Sequence, residues 1–177
     1  DVYEHARRRD LVGMGSTCTV LCVVGERAHL GHVGDSRCYV LRAADRVLRQ
    51  WSEDQNLAGQ LVRQGVLAPV DALHHRSSHV LTQAIGLGKP IEPQLDEIEL
   101  GAGEEIFMLT SDGLLRVVTE REIAQALEFY LDRSERTEPD RPFLQQAAED
   151  LLTLANDRGS PDNVSILLLG LRSEKTS

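Results

Sequence analysis

The amino-acid sequence predicts an α+β fold, a four-layer α/β/β/α sandwich in which two packed antiparallel sheets are flanked by helices. Three features of the sequence predict it. Short extended runs follow one another with tight turns between them, and one run is apolar on both faces. Later segments carry apolar residues at helical spacing. A layered arrangement covers both faces of such a strand and also buries the apolar face of each helix.

Extended runs fill the early part of the chain, at 17–24, 28–33, 37–41 and 47–51. They are rich in Val, Leu, Thr, Cys and Tyr, and good turn formers such as Gly34-Asp35-Ser36 separate them. Links this short cannot form parallel crossovers, so we expect an antiparallel meander. In the run 17–24 both alternating faces are apolar or small, which predicts a strand covered on both sides.

Helices and further strands follow. Ser52 and Gln55 form a capping box before a helix, and Thr119 and Glu122 form another. Apolar spacing from Phe143 onward predicts a third long helix. A short helix is expected at 69–75 and a polar loop at 134–140, and extended segments are expected at 80–85, 94–100, 105–110 and 164–171.

Length, net charge and cysteine content restrict the classes of protein to which this chain can belong. The 177 residues suit one domain, and a net charge of −9 argues against binding to nucleic acid. There is no run of 18 apolar residues, so we expect no membrane span. Cys18, Cys22 and Cys38 are interpreted as reduced thiols in the core. The sequence therefore predicts a cytoplasmic monomer that contacts neither nucleic acid nor membrane.

Asp35, Asp112 and Asp162 each lie in a tight turn at the mouth of a predicted strand. The preference of Asp for tight turns is enough to explain any one of these residues taken alone. If they converged, however, their like charges would repel by roughly 4 kcal/mol per pair at about 4 Å and an effective dielectric constant of 20, so they would need a cation. Oxygen ligands favour Mg²⁺, Mn²⁺ or Ca²⁺. The spacing alone leaves both interpretations open.

Four motifs occur in order: Gly-Met-Gly-Ser-Thr-Cys at 13–18, Val-Gly-Asp-Ser-Arg at 33–37, Leu-Thr-Ser-Asp-Gly-Leu at 109–114 and Ser-Pro-Asp-Asn-Val-Ser at 160–165. Together they resemble the successive motifs of the metal-dependent protein serine/threonine phosphatases, the type 2C family, in its bacterial form. The similarity runs from about Val12 to Leu171. It implies the same sandwich of two sheets between helices.

The resemblance also implies a site. Asp112 and Asp162 correspond to ligands of the family's metal centre, and Asp35 with Asp112 to ligands of a further metal. The implied cofactors are two or three Mg²⁺ or Mn²⁺ ions. Neighbouring motif residues that would support the site are Gly113, Asn163, Ser36 and Arg37.

The implied activity is hydrolysis of phosphoserine and phosphothreonine in proteins by a metal-activated water, without a covalent intermediate. The implied partners are phosphorylated proteins and a cognate serine/threonine kinase pathway. A thiol mechanism is excluded, because no cysteine begins a Cys-x₅-Arg loop.

A flap-like segment is expected at about 55–80. Its contacts cannot be carried over, because Asp54-Gln55-Asn56 stands where many relatives have Asp-His-Ser.

One family motif has no counterpart here. The sequence Asp-Gly-x-Gly-Gly-His, whose Asp bridges both metals in the family, is absent, and the single Asp-Gly pair is at Asp112. We therefore expect residues 1–177 to be the C-terminal portion of one catalytic domain, inactive alone, with the acid and phosphate-binding residues upstream. The alternative is a catalytically inactive phosphatase-like domain that serves interaction or regulation.

The histidines are expected to be structural or exposed. His29 and His32 share a predicted strand, whereas His74, His75 and His79 cluster in the flap-like segment. No cysteine or acidic residue has the spacing from this cluster that a zinc site needs.

Overall fold

The computed structural model describes residues 2–11, 13–88, 90–134 and 141–173. Its helices are α1 (Val2–Arg8), α2 (Leu57–Arg63), α3 (Pro69–Ala72), α4 (Asp112–Leu115), α5 (Glu120–Ser134) and α6 (Arg141–Asp157). Its strands are β1 (Cys18–Val24), β2 (Arg27–Val33), β3 (Arg37–Arg42), β4 (Leu48–Gln50), β5 (Gln94–Glu99), β6 (Gly103–Thr110) and β7 (Ile166–Ser173). The predicted α+β class with two antiparallel sheets and flanking helices is confirmed.

The chain divides into two compact units, each held together by contacts between its own residues. The first comprises Asp1–Ser36 and Ser52–Ile98, and the second comprises Arg37–Trp51 and Glu99–Ser177. The first unit holds a sheet of three strands in the order β1-β2-β5, and the second holds four strands in the order β4-β3-β6-β7.

In the first unit β1 pairs with β2 in an antiparallel hairpin, from Cys18 opposite Val33 to Val24 opposite Arg27. The turn is short because Gly25 adopts a φ of 58°, which glycine tolerates well. One face of β2 is fully buried, through Ala28, Leu30 and His32. The hairpin therefore places one row of side chains in the core of the first unit.

The prediction that β1 is covered on both sides is wrong for the described residues. Its exposure alternates, and Val20 and Val24 are 52% and 63% exposed. Cys18 and Cys22 lie on the same exposed face, so they are not core thiols, whereas Cys38 is buried as expected. Burial raises the pKa of the Cys38 thiol to about 12. Apolar composition permits burial of both faces, but only the packing around the strand decides whether it happens.

The start of α2 also differs from the prediction. Its N-cap is Asn56, whose side chain accepts a hydrogen bond from the backbone N–H of Gly59, so the box of Ser52 and Gln55 does not cap it. Helix α3 ends at Ala72, three residues before the predicted end. The extended segment at 80–85 forms isolated bridges, with Asn56 to Leu81 among them, and no strand.

The second unit is built on an antiparallel sheet in which β3 lies between β4 and β6. Its core strands bury Cys38, Tyr39, Leu41, Ile106, Phe107 and Met108. The predicted meander is wrong at the link from β2 to β3, because these two strands belong to different sheets. Besides β4, β3 pairs with β6, from Arg37 opposite Thr110 to Arg42 opposite Glu105, and local spacing carries no information about so distant a pairing.

Helices α5 and α6 bury the residues that their spacing predicts: Ile123, Leu127, Leu131, Ala147, Leu151 and Ala155. The capping box of Thr119 and Glu122 is confirmed, since each side chain bonds the backbone N–H of the other residue. Most of the predicted loop at 134–140, residues 135–140, lies outside the described residues. Within the described part of the chain, no helix is long and apolar enough to cross a membrane.

Candidate functional site

Asp112 begins the short helix α4, directly after β6 ends at Thr110. Ser111 between them takes the extended conformation of an N-cap, but its hydroxyl makes no capping bond within the helix. Its Oγ instead donates to the carbonyl oxygen of Asn163 at 3.0 Å and accepts from the backbone N–H of Ser165 at 2.9 Å. Ser111 thus attaches the Asp112 turn to the loop at 160–165.

A second attachment comes from the other loop. The Oγ of Ser160 lies 2.9 Å from the carbonyl oxygen of Gly113, and the backbone N–H of Asp162 points back to that Oγ at 3.4 Å. The carboxylate of Asp162 accepts from the N–H of Asn163 at 2.7 Å, a local bond that suits a tight turn. Both loops are therefore held at their backbones and leave the two aspartate side chains at the surface of the second unit.

Gly113 explains how closely the two loops approach. A Cβ at this buried position would lie 2.5 Å from the carbonyl oxygen of Asn163 and 3.3 Å from that of Asp162. Only glycine fits there without a shift of the backbone. The backbone next to Asp112 is thus in contact with the backbone of Asp162, and two of the predicted ligands occupy adjoining loops.

The carboxylate of Asp112 has a positively charged neighbour on its own helix. Its Oδ2 lies 2.9 Å from Nη2 of Arg116, four residues further along. Both side chains are partly exposed, at 30% and 32%. The described residues include no cluster of three or more His, Cys, Asp or Glu side chains placed to hold a metal. Asp112 and Asp162 nevertheless carry oxygen donors of the kind that divalent cations prefer, on two loops that touch at their backbones.

Asp35 belongs to the first unit, and its turn is fixed by the residue before it. Gly34 has a φ of +115°, and a Cβ there would overlap the side chain of Thr17. The N–H of Gly34 donates to Oε1 of Gln55 at 2.9 Å, and its carbonyl oxygen accepts from the N–H of Gln55 at 2.8 Å. Ser36 shares a hydrogen bond of 2.9 Å with the hydroxyl of Thr17. Gln55 is thus a support of the Asp35 turn that the sequence did not reveal.

The buried ring of His32 also supports this turn, through hydrogen bonds. Its Nε2 lies 3.0 Å from the carbonyl oxygen of Gly34 and 3.1 Å from that of Glu53, and its Nδ1 lies 2.9 Å from the hydroxyl of Thr19. Two carbonyl acceptors require the proton on Nε2, so Nδ1 accepts from Thr19. Burial lowers the pKa of His32 and favours this neutral ring, although the carbonyls of Gly34 and Glu53 and the charge of Asp54 oppose the shift.

Arg37, predicted to support the site, is buried and bonds inside the second unit. Its Nη1 donates to the hydroxyl of Tyr39 and to Oε1 of Glu120, each at 2.9 Å, and the Tyr39 hydroxyl donates to the same Oε1 at 2.9 Å. Burial raises the pKa of Tyr39, which stays a neutral donor. These bonds tie the start of β3 to the start of α5.

Sequence reasoning missed Ser111, Arg116, Gln55 and the role of His32. Only Arg116 left a readable signal, because its spacing of four from Asp112 is that of neighbours on a helix. The other three act through contacts with residues distant in the sequence.

The chain matches no protein-family model. It is 32% identical over 160 residues to the serine/threonine phosphatase stp of Listeria monocytogenes, an alignment that covers 90% of this chain and 58% of that protein. The chain thus spans less than two thirds of the length of this curated relative.

Two solved structures share the fold at similar identity. The serine/threonine phosphatase PstP/Ppp of Mycobacterium tuberculosis is 32% identical with a TM-score of 0.78, over 98% of this chain and 67% of that one. The catalytic domain of the protein phosphatase PstP in complex with two manganese ions is 32% identical with a TM-score of 0.74, over 96% of this chain and 64% of that one.

Proposed function

This chain belongs to the bacterial type 2C-like protein serine/threonine phosphatases, and we propose that the protein carrying it hydrolyses phosphoserine and phosphothreonine in proteins. Its substrates are then the products of a serine/threonine kinase. We further propose that residues 1–177 are the C-terminal portion of one catalytic domain, with the flap-like segment at about 55–80. The alignment of nearly the whole chain with solved phosphatases supports this assignment.

Asp112 and Asp162 hold a divalent cation, Mg²⁺ or Mn²⁺, in this proposal, and Asp35 contributes to a further ion. When bound, such a cation supplies Lewis-acid polarisation of phosphoryl oxygens and lowers the pKa of a coordinated water. The observation that carries the proposal is the closure at Gly113, where the loops of Asp112 and Asp162 touch at their backbones. The manganese complex of a PstP catalytic domain supports the choice of metal.

The neighbouring side chains keep these carboxylates in place. Ser111 and Ser160 hold the two loops together through side-chain-to-backbone bonds. Gln55 and His32 hold the backbone around Gly34, which presents Asp35. Preorganisation of this kind lets a charged site bind its ligand without first ordering its own loops.

The test measures phosphate release from a phosphothreonine peptide, with Mn²⁺, by the protein that carries this chain. Asp112→Asn and Asp162→Asn are each expected to lower turnover by more than about a hundredfold, because each removes an anionic ligand. Asp157→Asn is the matched control, since Asp157 is exposed at the end of α6.

Two results would contradict the proposal. Retained turnover in both ligand variants would show that the site lies elsewhere. Absence of Mn²⁺-dependent turnover in the unaltered protein, with peptide binding intact, would favour the non-catalytic interaction domain instead.

A further inference from the structure

Arg116 forms an ion pair with the carboxylate to which the proposed function assigns a cation. Its Nη2 is 2.9 Å from Oδ2 of Asp112, and both side chains remain partly exposed. A dissolved ion therefore has access to the pair. A cation held by Asp112 would compete with this guanidinium for the same oxygen.

Asp112 cannot avoid this pairing by a movement of its backbone. The closure at Gly113 leaves no space for a shift toward Asn163, and the residue before Asp112 is held by Ser165. Arg116 lies at the C-cap of the same four-residue helix, so one turn separates the two side chains. The spacing within α4 therefore places the two side chains within reach of each other.

We propose that Arg116 is the resident counter-ion of Asp112 and that a divalent cation must displace its guanidinium, so that Arg116 sets the metal affinity of the site. The inference rests on the proposed function, because it requires Asp112 to be a metal ligand.

Two effects of Arg116 on metal affinity oppose each other. A hydrogen-bonded partner orients a ligating carboxylate and thereby favours binding, but an exposed pair at this spacing is worth about twofold at most. A unit positive charge about 5 Å from a divalent ion lowers its affinity on the order of tenfold, even with the dielectric constant of water. The repulsion between Arg116 and the cation is therefore larger than the gain from orienting the carboxylate, so Arg116 lowers the metal affinity of the site.

The experiment is a calorimetric titration of Mn²⁺ into the protein that carries this chain and into four of its variants. Arg116→Gln removes the charge and is expected to tighten Mn²⁺ binding about tenfold. Arg116→Lys keeps the charge and is expected to bind like the unaltered chain. Arg121→Gln removes the same charge from α5 as a control for net charge, and Asp112→Asn removes the ligand. Circular dichroism verifies that each variant is folded.

The possible outcomes separate this inference from the proposed function. Tighter binding in Arg116→Gln alone supports the inference. Unchanged or weaker binding in a folded Arg116→Gln, with Asp112→Asn unable to bind, overturns the inference and leaves the proposed metal site standing. Equal tightening in Arg121→Gln also overturns it, because net charge then explains the gain. Absence of Mn²⁺ binding in every variant overturns both.

Discussion

The hydroxyl oxygen of Ser160 lies 2.9 Å from the carbonyl oxygen of Gly113, so the loop that carries Asp162 is bonded directly to the turn that carries Asp112. Ser111 joins the same two loops from the other side. Neither bond involves a carboxylate. The two loops are therefore joined without the carboxylates of Asp112 and Asp162, which accept instead from Arg116 and from the backbone N–H of Asn163.

Gly113→Ala is expected to destabilise the second unit by about 1–3 kcal/mol and to abolish the response of its melting temperature to Mn²⁺. The added methyl group would lie 2.5 Å from the carbonyl oxygen of Asn163, which forces the two loops apart. Thermal unfolding with and without millimolar Mn²⁺ measures both effects. Gly31→Ala is the control, because its Cβ would meet only Leu95, at 3.8 Å. Equal stability of the two variants would contradict the close approach of the loops.

His32 should make the stability of the chain depend on pH. Burial lowers its pKa in the folded state below the ordinary 6.5, so the unfolded chain takes up the proton first as the pH falls. Stability is then complete above about pH 6.5 and declines below it, by at most about 1.4 kcal/mol per pH unit, until the pH passes the folded-state pKa. Melting temperatures from pH 7.5 to 5 measure this decline.

The pH dependence of a His32→Gln variant should be shallower over the same range. His74→Gln is the matched control, because His74 is exposed and its replacement should leave the slope unchanged. If His32→Gln keeps the full slope, another group is responsible for it.

Glu122 is expected to stabilise the folded state at neutral pH and to lose this effect as the solution becomes acidic. Arg158 and the Thr119 cap lower the pKa of Glu122 from about 4.5 to about 2. This contribution is present above about pH 4.5 and is lost as the pH falls toward 2. Glu122→Gln should therefore lower the melting temperature at pH 7, and the difference from the unaltered chain should shrink below pH 4.5. Glu128→Gln, on the same helix, should show no such convergence.

The 177-residue chain alone should not hydrolyse an aryl phosphate with Mn²⁺ above the background of its Asp112→Asn variant. The family resemblance places a bridging aspartate in Asp-Gly-x-Gly-Gly-His, and these residues contain no such motif. A continuous absorbance assay with millimolar Mn²⁺ measures this. Robust turnover that disappears in Asp112→Asn would show that the chain forms a working site without that motif.

Much of the local structure is readable from the sequence. The capping box of Thr119 and Glu122, the inward face of α5 and the strand limits around β2 depend on neighbours a few residues away. The turn at Gly34-Asp35 is likewise a local choice, because its positive φ favours glycine. The order of the motifs predicts the family, and the resemblance implies a metal-binding role for the acidic turns.

The tertiary structure decides the rest, because it depends on partners distant in the sequence. Spacing alone predicts that β3 follows β2 in one sheet, yet β3 pairs with β6 in another. Val20 is apolar, but packing leaves it exposed. The sequence by itself predicts turns at Asp112 and Asp162, although Asp112 in fact begins α4 after β6. Only the folded chain brings these turns into contact, since that closure depends on backbone atoms around Gly113 and Asn163, which no side-chain pattern encodes.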